Sequence, residues 1–479
     1  MKKLILTLAA VLMLSSAAFA EKKEIRILSV NDIHAKIENM PQLAAIVDSL
    51  RALYPDMLIM SAGDNRTGEP LNDLYEVPTY PMVALMNQIG FDCSTLGNHE
   101  FDGGQTGLAT VTHLSNFPYI CCNIHPDPKW GINTIPYKVF VIDDVRIAVI
   151  GAVQVGKAGH PDSHPDNVTD ILFTPVEETL QEYKWLADEN DVVILLTHIG
   201  YEEDVELSQY VRWADLIIGG HSHTQVNGGE VHNGVMITQV VNRLDNVTFI
   251  TLTVQDGKVV DRKAENIKVE GYPKKNTAVA ELLRFFSDNP AFKRVLATLT
   301  APMTSYEELG CMMTDAWRVE TGADLAFTNT GGVRYDYLPA GPFTVSDVLR
   351  LDPFGNDSVQ MELTGQEFKD MLIATTYADS EYGFPKVSGV NCEVIFDKKN
   401  PEKIKDLKIT LPDGGKFDLK KTYKVTTNSY TAAIANSPRK DQGRALNRTT
   451  ASLIQEYLEH QKTIDYTGVC RVKQSVSAK

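Results

Sequence analysis

The chain is poor in the features that would make it a disulfide-stapled, membrane-spanning or nucleic-acid-coating protein. Its 479 residues include only six cysteines, Cys93, Cys121, Cys122, Cys311, Cys392 and Cys470, none in Cys-x-x-Cys spacing. A disulfide framework therefore does not organise the fold, and burial as small apolar side chains is the expectation. A formal net charge of −16 and the absence of any basic stripe argue against a nucleic acid polymer as partner. No repeat of fixed period and no low-complexity tract is present. Beyond the first twenty residues no run is apolar and long enough to span a membrane, and even Leu4 to Leu14 falls short of the roughly 18 residues required. That run follows Lys2 and Lys3 and precedes Ala18-Phe19-Ala20, the pattern of a secretion signal. Cleavage after Ala20 is expected, with residues 21–479 as a mature chain located in the periplasm or outside the cell.

The chain does contain an alternation of short apolar runs and helical stretches from Glu24 to about Gly271, which reads as α/β. Helices are predicted over Pro41 to Tyr54, Pro81 to Ile89 and Val176 to Asp188. Hairpins are predicted within Tyr137 to Ala152, turning at Asp143-Asp144, and within Thr248 to Val260, turning at Asp256-Gly257. The character shifts over 272–300, where Val279, Leu282, Leu283, Phe286 and Val295 make an amphipathic pattern expected to form a linking helix. A separate domain is expected over 301–479, beginning with a helix from Glu307 to Glu320 and a strand at Leu325 to Phe327.

Five polar clusters punctuate the first half, each at the end of an apolar run: Asn31 to His34, Gly63 to Asn65, Gly97 to Asp102, Thr197-His198 and Gly219 to His223. Strands laid side by side would bring all five to one sheet edge, outside the carboxyl ends where α/β folds gather ligands. Asp32 and His34 are two apart and share a face of an extended segment. Asp64 has two carboxylate oxygens and can bridge a pair of cations, which two-metal phosphoryl-transfer sites hold about 3.5–4 Å apart. Asn98, His198 and His221 offer neutral donors for the second cation, and His223 can turn to the first. The expected ligands are thus Asp32, His34, Asp64 and His223 for one ion and Asp64, Asn98, His198 and His221 for the other. Zn, Mn or similar divalent ions suit these donors. His99 and Asp102, three apart, are expected to act as a dyad in which the carboxylate fixes the imidazole and leaves its other nitrogen to donate toward a phosphoryl oxygen. Single histidines such as His113, His125 and His232 read as structural, and His160 to Asp166, interrupted by prolines, reads as an exposed loop.

In wording and order these clusters resemble the calcineurin-like metallophosphoesterases, and within them the secreted 5′-nucleotidase family, whose members include UDP-sugar hydrolases and 2′,3′-cyclic-nucleotide phosphodiesterases. The resemblance extends over nearly the whole mature chain. It implies a four-layer α/β/β/α metallophosphatase domain followed by a smaller α/β C-terminal domain for substrate recognition. It also implies hydrolysis of nucleoside monophosphates by in-line attack of hydroxide that the metals make available. The alternatives it leaves open are a UDP-sugar or cyclic-nucleotide hydrolase, a non-nucleotide phosphatase, or a binding protein on a spent catalytic scaffold. In the C-terminal half it rests on Asn329 to Arg334, Pro353 to Asn356 and Phe384 to Gly389. By carry-over Arg334 would meet the phosphate, Asn356 would line the substrate site, and Phe384 would stack on a base with Tyr430 opposite. One departure is plain: where the family has Gly-Gly-Asp-Gly approaching the ribose, this chain has Thr431 to Ser437.

Overall fold

The computed structural model describes residues 21–287, 290–379, 383–398 and 403–476; the expected leader, residues 1–20, lies outside them. The first half is built on two sheets packed face to face. One has seven strands in the order Lys258–Lys268, Asn246–Gln255, Lys23–Val30, Leu58–Ser61, Cys93–Ser94, Tyr119–Ile120 and Thr134–Ile135. The other has six, in the order Glu230–His232, Val235–Thr238, Leu216–Ile218, Val192–His198, Val145–Val153 and Tyr137–Ile142.

Side-chain alternation accounts for the layering. In Lys23–Val30, Ile25 and Ile27 point into the core between the sheets, while Leu28 and Val30 point outward against helices. In Val192–His198, Val192, Ile194 and Leu196 face the same central core, and Val193 and Leu195 face the opposite outer layer. Helices Met40–Arg51, Tyr80–Ile89 and Gly104–Leu114 cover the first sheet. Shorter helices, Val176–Gln181, Leu186–Glu189 and Tyr201–Leu207, cover the second. The result is the four-layer α/β/β/α arrangement. Both predicted hairpins form, with Ile142 opposite Val145 and Gln255 opposite Lys258. The helix expected over Val176 to Asp188 is instead two short pieces.

The stretch 272–300 is not helical throughout. It holds a helix at Thr277–Ser287, whose Val279 and Phe286 join the outer core of the first half. It then enters strand Val295–Leu299, which pairs with Gly341–Thr344 and Thr463–Ile464 of the second half. The rest is α/β, centred on a five-stranded sheet in the order Lys386–Ser388, Leu325–Thr328, Thr422–Asn428, Asp357–Thr364 and Arg444–Thr449. Two of its helices start with capping boxes, Thr344 with Asp347 and Thr364 with Glu367, in which side chain and backbone satisfy each other reciprocally. All six cysteines are free, and only Cys470 is exposed. Among the described residues no helix is long and apolar enough to cross a membrane.

Candidate metal and substrate site

The five clusters do not meet at one edge of one sheet. Lys23–Val30, Leu58–Ser61 and Cys93–Ser94 run parallel in the seven-stranded sheet, whereas Val192–His198 and Leu216–Ile218 run parallel in the other. Face-to-face packing brings the carboxyl ends of both sheets together, so the clusters converge from two layers.

Close approach of the loops requires glycine at particular places. A Cβ on Gly97 would stand 2.1 Å from Asp64 Oδ1, and one on Gly63 would stand 2.5 Å from the Gly97 amide nitrogen. The polar residues themselves are wound tightly. Asp32, His34, Asp64, His221 and His223 all adopt left-handed backbone conformations, with φ of 49°, 46°, 52°, 83° and 55°. Such conformations cost about 1 kcal/mol or more each in non-glycine residues and persist where the surroundings enforce them.

Their donor atoms face one another. His198 Nε2 lies 3.2 Å from Asp64 Oδ2 and 3.8 Å from Asp32 Oδ1. His34 Nε2 lies 3.9 Å from both Asp32 Oδ1 and Asp64 Oδ2, and His223 Nε2 is 3.3 Å from Asp32 Oδ1. Asn98 Oδ1 is 2.9 Å from His221 Nδ1 and 3.3 Å from His198 Nε2. Three groups, Asp32/His34/His223, His34/Asp64/His99 and Asp32/Asp64/His198, each bring their ligand atoms within 4.8 Å of one another. All seven residues read from the sequence as ligands are thus in one place.

Whether these groups suit a cation can be judged from His198. Its Nδ1–H donates to the Ala62 carbonyl at 2.6 Å, which leaves the Nε2 lone pair directed at the Asp64 carboxylate. Two such acceptors repel unless a proton or a metal ion lies between them. The electrostatics say the same: burial favours the neutral ring, yet Asp64 and Asp32 together push His198 up to about 10. Burial and the nearby Arg334 guanidinium hold His34 well below the usual histidine range, keeping it a neutral donor. Burial works to raise the Asp64 carboxyl, but His198 and His99 hold it well below the usual range.

His99 begins a short 3-10 turn, His99–Gly103, that presents Asp102 on the same side. The His99 ring lies 2.7 Å from Asp102 Oδ2 through Nδ1, and its backbone N–H donates to Asp64 Oδ1 at 2.8 Å. Asp102 also accepts from the Thr67 hydroxyl at 2.7 Å. His99 is held above the usual histidine range, against burial, by Asp102 and Asp64.

A cleft opens from this cluster, with walls from both halves of the chain. Asn98, His99, Asp102 and His221 line it on one side, and Arg334, Asn356 and Tyr430 on the other. Arg334 Nη2 reaches to 3.3 Å from His34 Nδ1. Glu69 and Arg350 approach at 2.9 Å and tie the two halves together.

Phe384 is the exception among the expected substrate residues. Its ring is fully buried in the C-terminal core with Phe327, Phe368 and Val387 and takes no part in the cleft wall. Phe354 stands there instead, stacked on His99 with ring centroids 5.9 Å apart and lying 5.6 Å from the Arg334 guanidinium carbon. Phe354 lies within Pro353 to Asn356, a stretch that carries the family resemblance without assigning this ring a role. An apolar residue on a proline-glycine turn was the signal that it projects.

Two further features were not anticipated. Glu100 is 1% exposed and accepts the backbone N–H groups of Asp64 and Asn65 at 2.8 Å and of Gly97 at 2.6 Å, so it binds two ligand loops together. The loop read as exposed, His160 to Asp166, contributes Asp162, Ser163 and His164 to the cleft wall, and Ser163 is only 3% exposed. Among the described residues it forms no metal-binding cluster.

Comparison with known proteins agrees with this geometry. Residues 25–225 match the calcineurin-like phosphoesterase family, and residues 292–436 match the 5′-nucleotidase C-terminal domain. A trifunctional nucleotide phosphoesterase of Bacillus subtilis, YfkN, is 28% identical over 86% of this chain, which spans only 32% of that larger protein. The 5′-nucleotidase of Vibrio vulnificus is 27% identical, with 92% of this chain and 91% of the relative covered. Among solved structures, a 5′-nucleotidase precursor from Thermus thermophilus superposes with a TM-score of 0.84 at 22% identity, covering 95% of this chain and 100% of the other. The sulfate thiohydrolase SoxB of the same genus superposes with a TM-score of 0.77 at 17% identity, over 94% and 96%. With both domains matched in order and the donor set assembled within the first, the chain belongs to the calcineurin-like phosphoesterases that carry a 5′-nucleotidase C-terminal domain.

Proposed function

We propose that this protein is an exported two-metal 5′-nucleotidase that releases phosphate from nucleoside monophosphates. One observation carries the reading: a buried set of carboxylate and imidazole donors opens into a cleft whose far wall holds an arginine and two aromatic rings. Asp32, His34, Asp64 and His223 would hold one divalent ion and Asp64, Asn98, His198 and His221 the other, with zinc, manganese or a similar metal in each. Such ions supply Lewis acidity and bring the pKa of a water close to neutral.

The chain's own groups do the rest. Arg334, reaching toward His34 from the second half, orients the phosphate and offsets its charge. His99, whose cationic form Asp102 favours, would donate from Nε2 toward the phosphoryl group or the departing ester oxygen. Phe354 and Tyr430 line the cleft and would hold the base by its π-faces, each stack contributing about 1–3 kcal/mol by analogy with single-stranded nucleic acid. Asn356 lines the same cleft. The expected leader at residues 1–20 would carry the enzyme to the periplasm or beyond.

The test is one purified sample, stripped with chelator and reloaded with single metals, assayed on nucleoside monophosphates, UDP-sugars, 2′,3′-cyclic nucleotides and p-nitrophenyl phosphate. Metal-restored release of phosphate, fastest on nucleoside monophosphates, is expected. A preference for another member of the panel would replace the substrate, and no metal-restored hydrolysis would remove the enzymatic reading.

A further inference from the structure

We infer that Asn242 is the positioning residue of His223, fixing which ring nitrogen that histidine offers to the ion it would share with Asp32 and His34; this rests on the two-metal reading above. The two proposed ligand rings His198 and His223 are held unequally. His198 is fully buried and its Nδ1–H is committed to the Ala62 carbonyl, so it faces Asp64 through Nε2. The His223 side chain is 24% exposed, and the group at its Nδ1 is a side-chain amide, with Asn242 Nδ2 at 3.1 Å. Its Nε2 lies 3.3 Å from Asp32 Oδ1 and 3.1 Å from His34 Nε2.

Asn242 is itself held on both sides. Two residues before it, Val240 is paired with Asn31 in both directions: Asn31 Nδ2 donates to the Val240 carbonyl at 2.7 Å, and the Val240 N–H donates to Asn31 Oδ1 at 3.0 Å. Directly after it, the Arg243 N–H donates to the Asp32 carbonyl at 2.8 Å. Arg243 and Leu244 both take left-handed backbone conformations, with φ of 62° and 52°, which side-chain-bearing residues keep only where the surroundings enforce them. Leu244 is buried in the outer core of the first half. The turn is thus clamped to the strand end that supplies Asp32, and it holds Asn242 against the His223 ring.

An amide suits this place for a chemical reason. An imidazole binds a cation through a nitrogen that carries no proton, so Nε2 can ligate only when the proton sits on Nδ1 and finds an acceptor there. A half-turn of the Asn242 amide exchanges its nitrogen for its oxygen with no change of shape, and the oxygen is that acceptor. Among the described residues the amide bonds to no other group, so nothing opposes the turn. A carboxylate in its place would accept more strongly and make the ring a better donor, weakening the Lewis acidity of the ion. The neutral amide fixes the ring and leaves that acidity intact.

The experiment titrates the chelator-stripped full chain and its Asn242→Leu and Asn242→Asp variants with manganese by calorimetry, then assays each on p-nitrophenyl phosphate. Wild type should take up two ions per chain. Asn242→Leu keeps the shape and removes the acceptor; it should raise Kd for one ion by about ten- to a hundredfold, the usual worth of such a partner, and change the other less than about threefold. Asn242→Asp should hold that ion at least as tightly as wild type while lowering kcat by about three- to tenfold. Unchanged affinity in a folded Asn242→Leu protein would overturn the assignment. So would an equal weakening of both ions, which would make Asn242 a support for the turn only. Asn242→Asp, which keeps an acceptor, decides the matter if Asn242→Leu does not fold: weaker binding than wild type overturns the assignment. Uptake of one ion per chain, weakened by Asn242→Leu, would sink the two-metal reading while leaving His223 with its partner.

Discussion

Replacing Glu100 by Gln changes one atom of the side chain and should loosen the metal site without touching a ligand. Glu100 Oε2 accepts the N–H groups of Asp64 and Gly97, while Oε1 accepts the N–H and the side-chain amide of Asn65. A glutamine can keep its oxygen on only one of these pairs. The other pair then meets an NH2 group, donor against donor, in a place that is 1% exposed and beyond the reach of bulk water. A backbone N–H left without an acceptor costs about 1–3 kcal/mol, and the surviving bonds lose the strengthening that a charged acceptor gives. The strain falls on the turn carrying Asp64 and on Gly97, which precedes Asn98. Partners that orient ligands in this way are typically worth about ten- to a hundredfold in metal affinity. Chelator-stripped protein titrated with zinc or manganese, followed by calorimetry and by recovered activity, should therefore show a rise in Kd of that size. Circular dichroism should remain that of the wild type. Unchanged metal affinity in a folded Glu100→Gln protein would refute the claim that the carboxylate holds the two loops in register.

Asp64→Asn should abolish metal-dependent turnover, because the proposed function has this residue touch both ions; near-normal activity would end the bridge assignment. Phe384→Ala should cost about 3–5 kcal/mol in denaturant unfolding, as expected for a buried aromatic, while shifting KM for nucleotides and p-nitrophenyl phosphate alike. Phe354→Ala should do the reverse, leaving stability nearly unchanged and raising KM for nucleotides by about tenfold but not for p-nitrophenyl phosphate. Asp352 carries the pH prediction: burial pushes its carboxyl up to about 6, offset in part by Thr450. The folded state then keeps this proton to higher pH than the unfolded chain does, so the group's contribution is full below about pH 4 and is lost as pH rises through 6, by about 3 kcal/mol. Asp352→Asn should flatten that slope. An unfolding midpoint that differs from wild type by the same amount at pH 4 and pH 8 would contradict it.

What the sequence revealed and what it concealed divide along physical lines. The metal donors were legible because each sits at the end of a short, strongly apolar strand, and a chain of that kind emerges only where a sheet edge is. Pairing was not legible: nothing local in Val192–His198 says whether it lies beside Lys23–Val30 or across from it. Glu100 was hidden because three of its four donors are backbone amides, which leave no mark in the residue pattern. Phe384 and Phe354 show the same limit from another side. Both are aromatic residues in motif-bearing loops, and only tertiary packing decides which one enters the core. The Asp162 to His164 wall was out of reach because its place depends on which elements face each other across the cleft.

The Arg334 contact with His34 and the stacking of Phe354 on His99 join two stretches of chain that fold around separate cores. On the proposed function, the cutting machinery and the surface that chooses what is cut are therefore encoded apart. Substitutions in the second stretch would then redirect the enzyme to a different leaving group while every proposed metal donor remains in place.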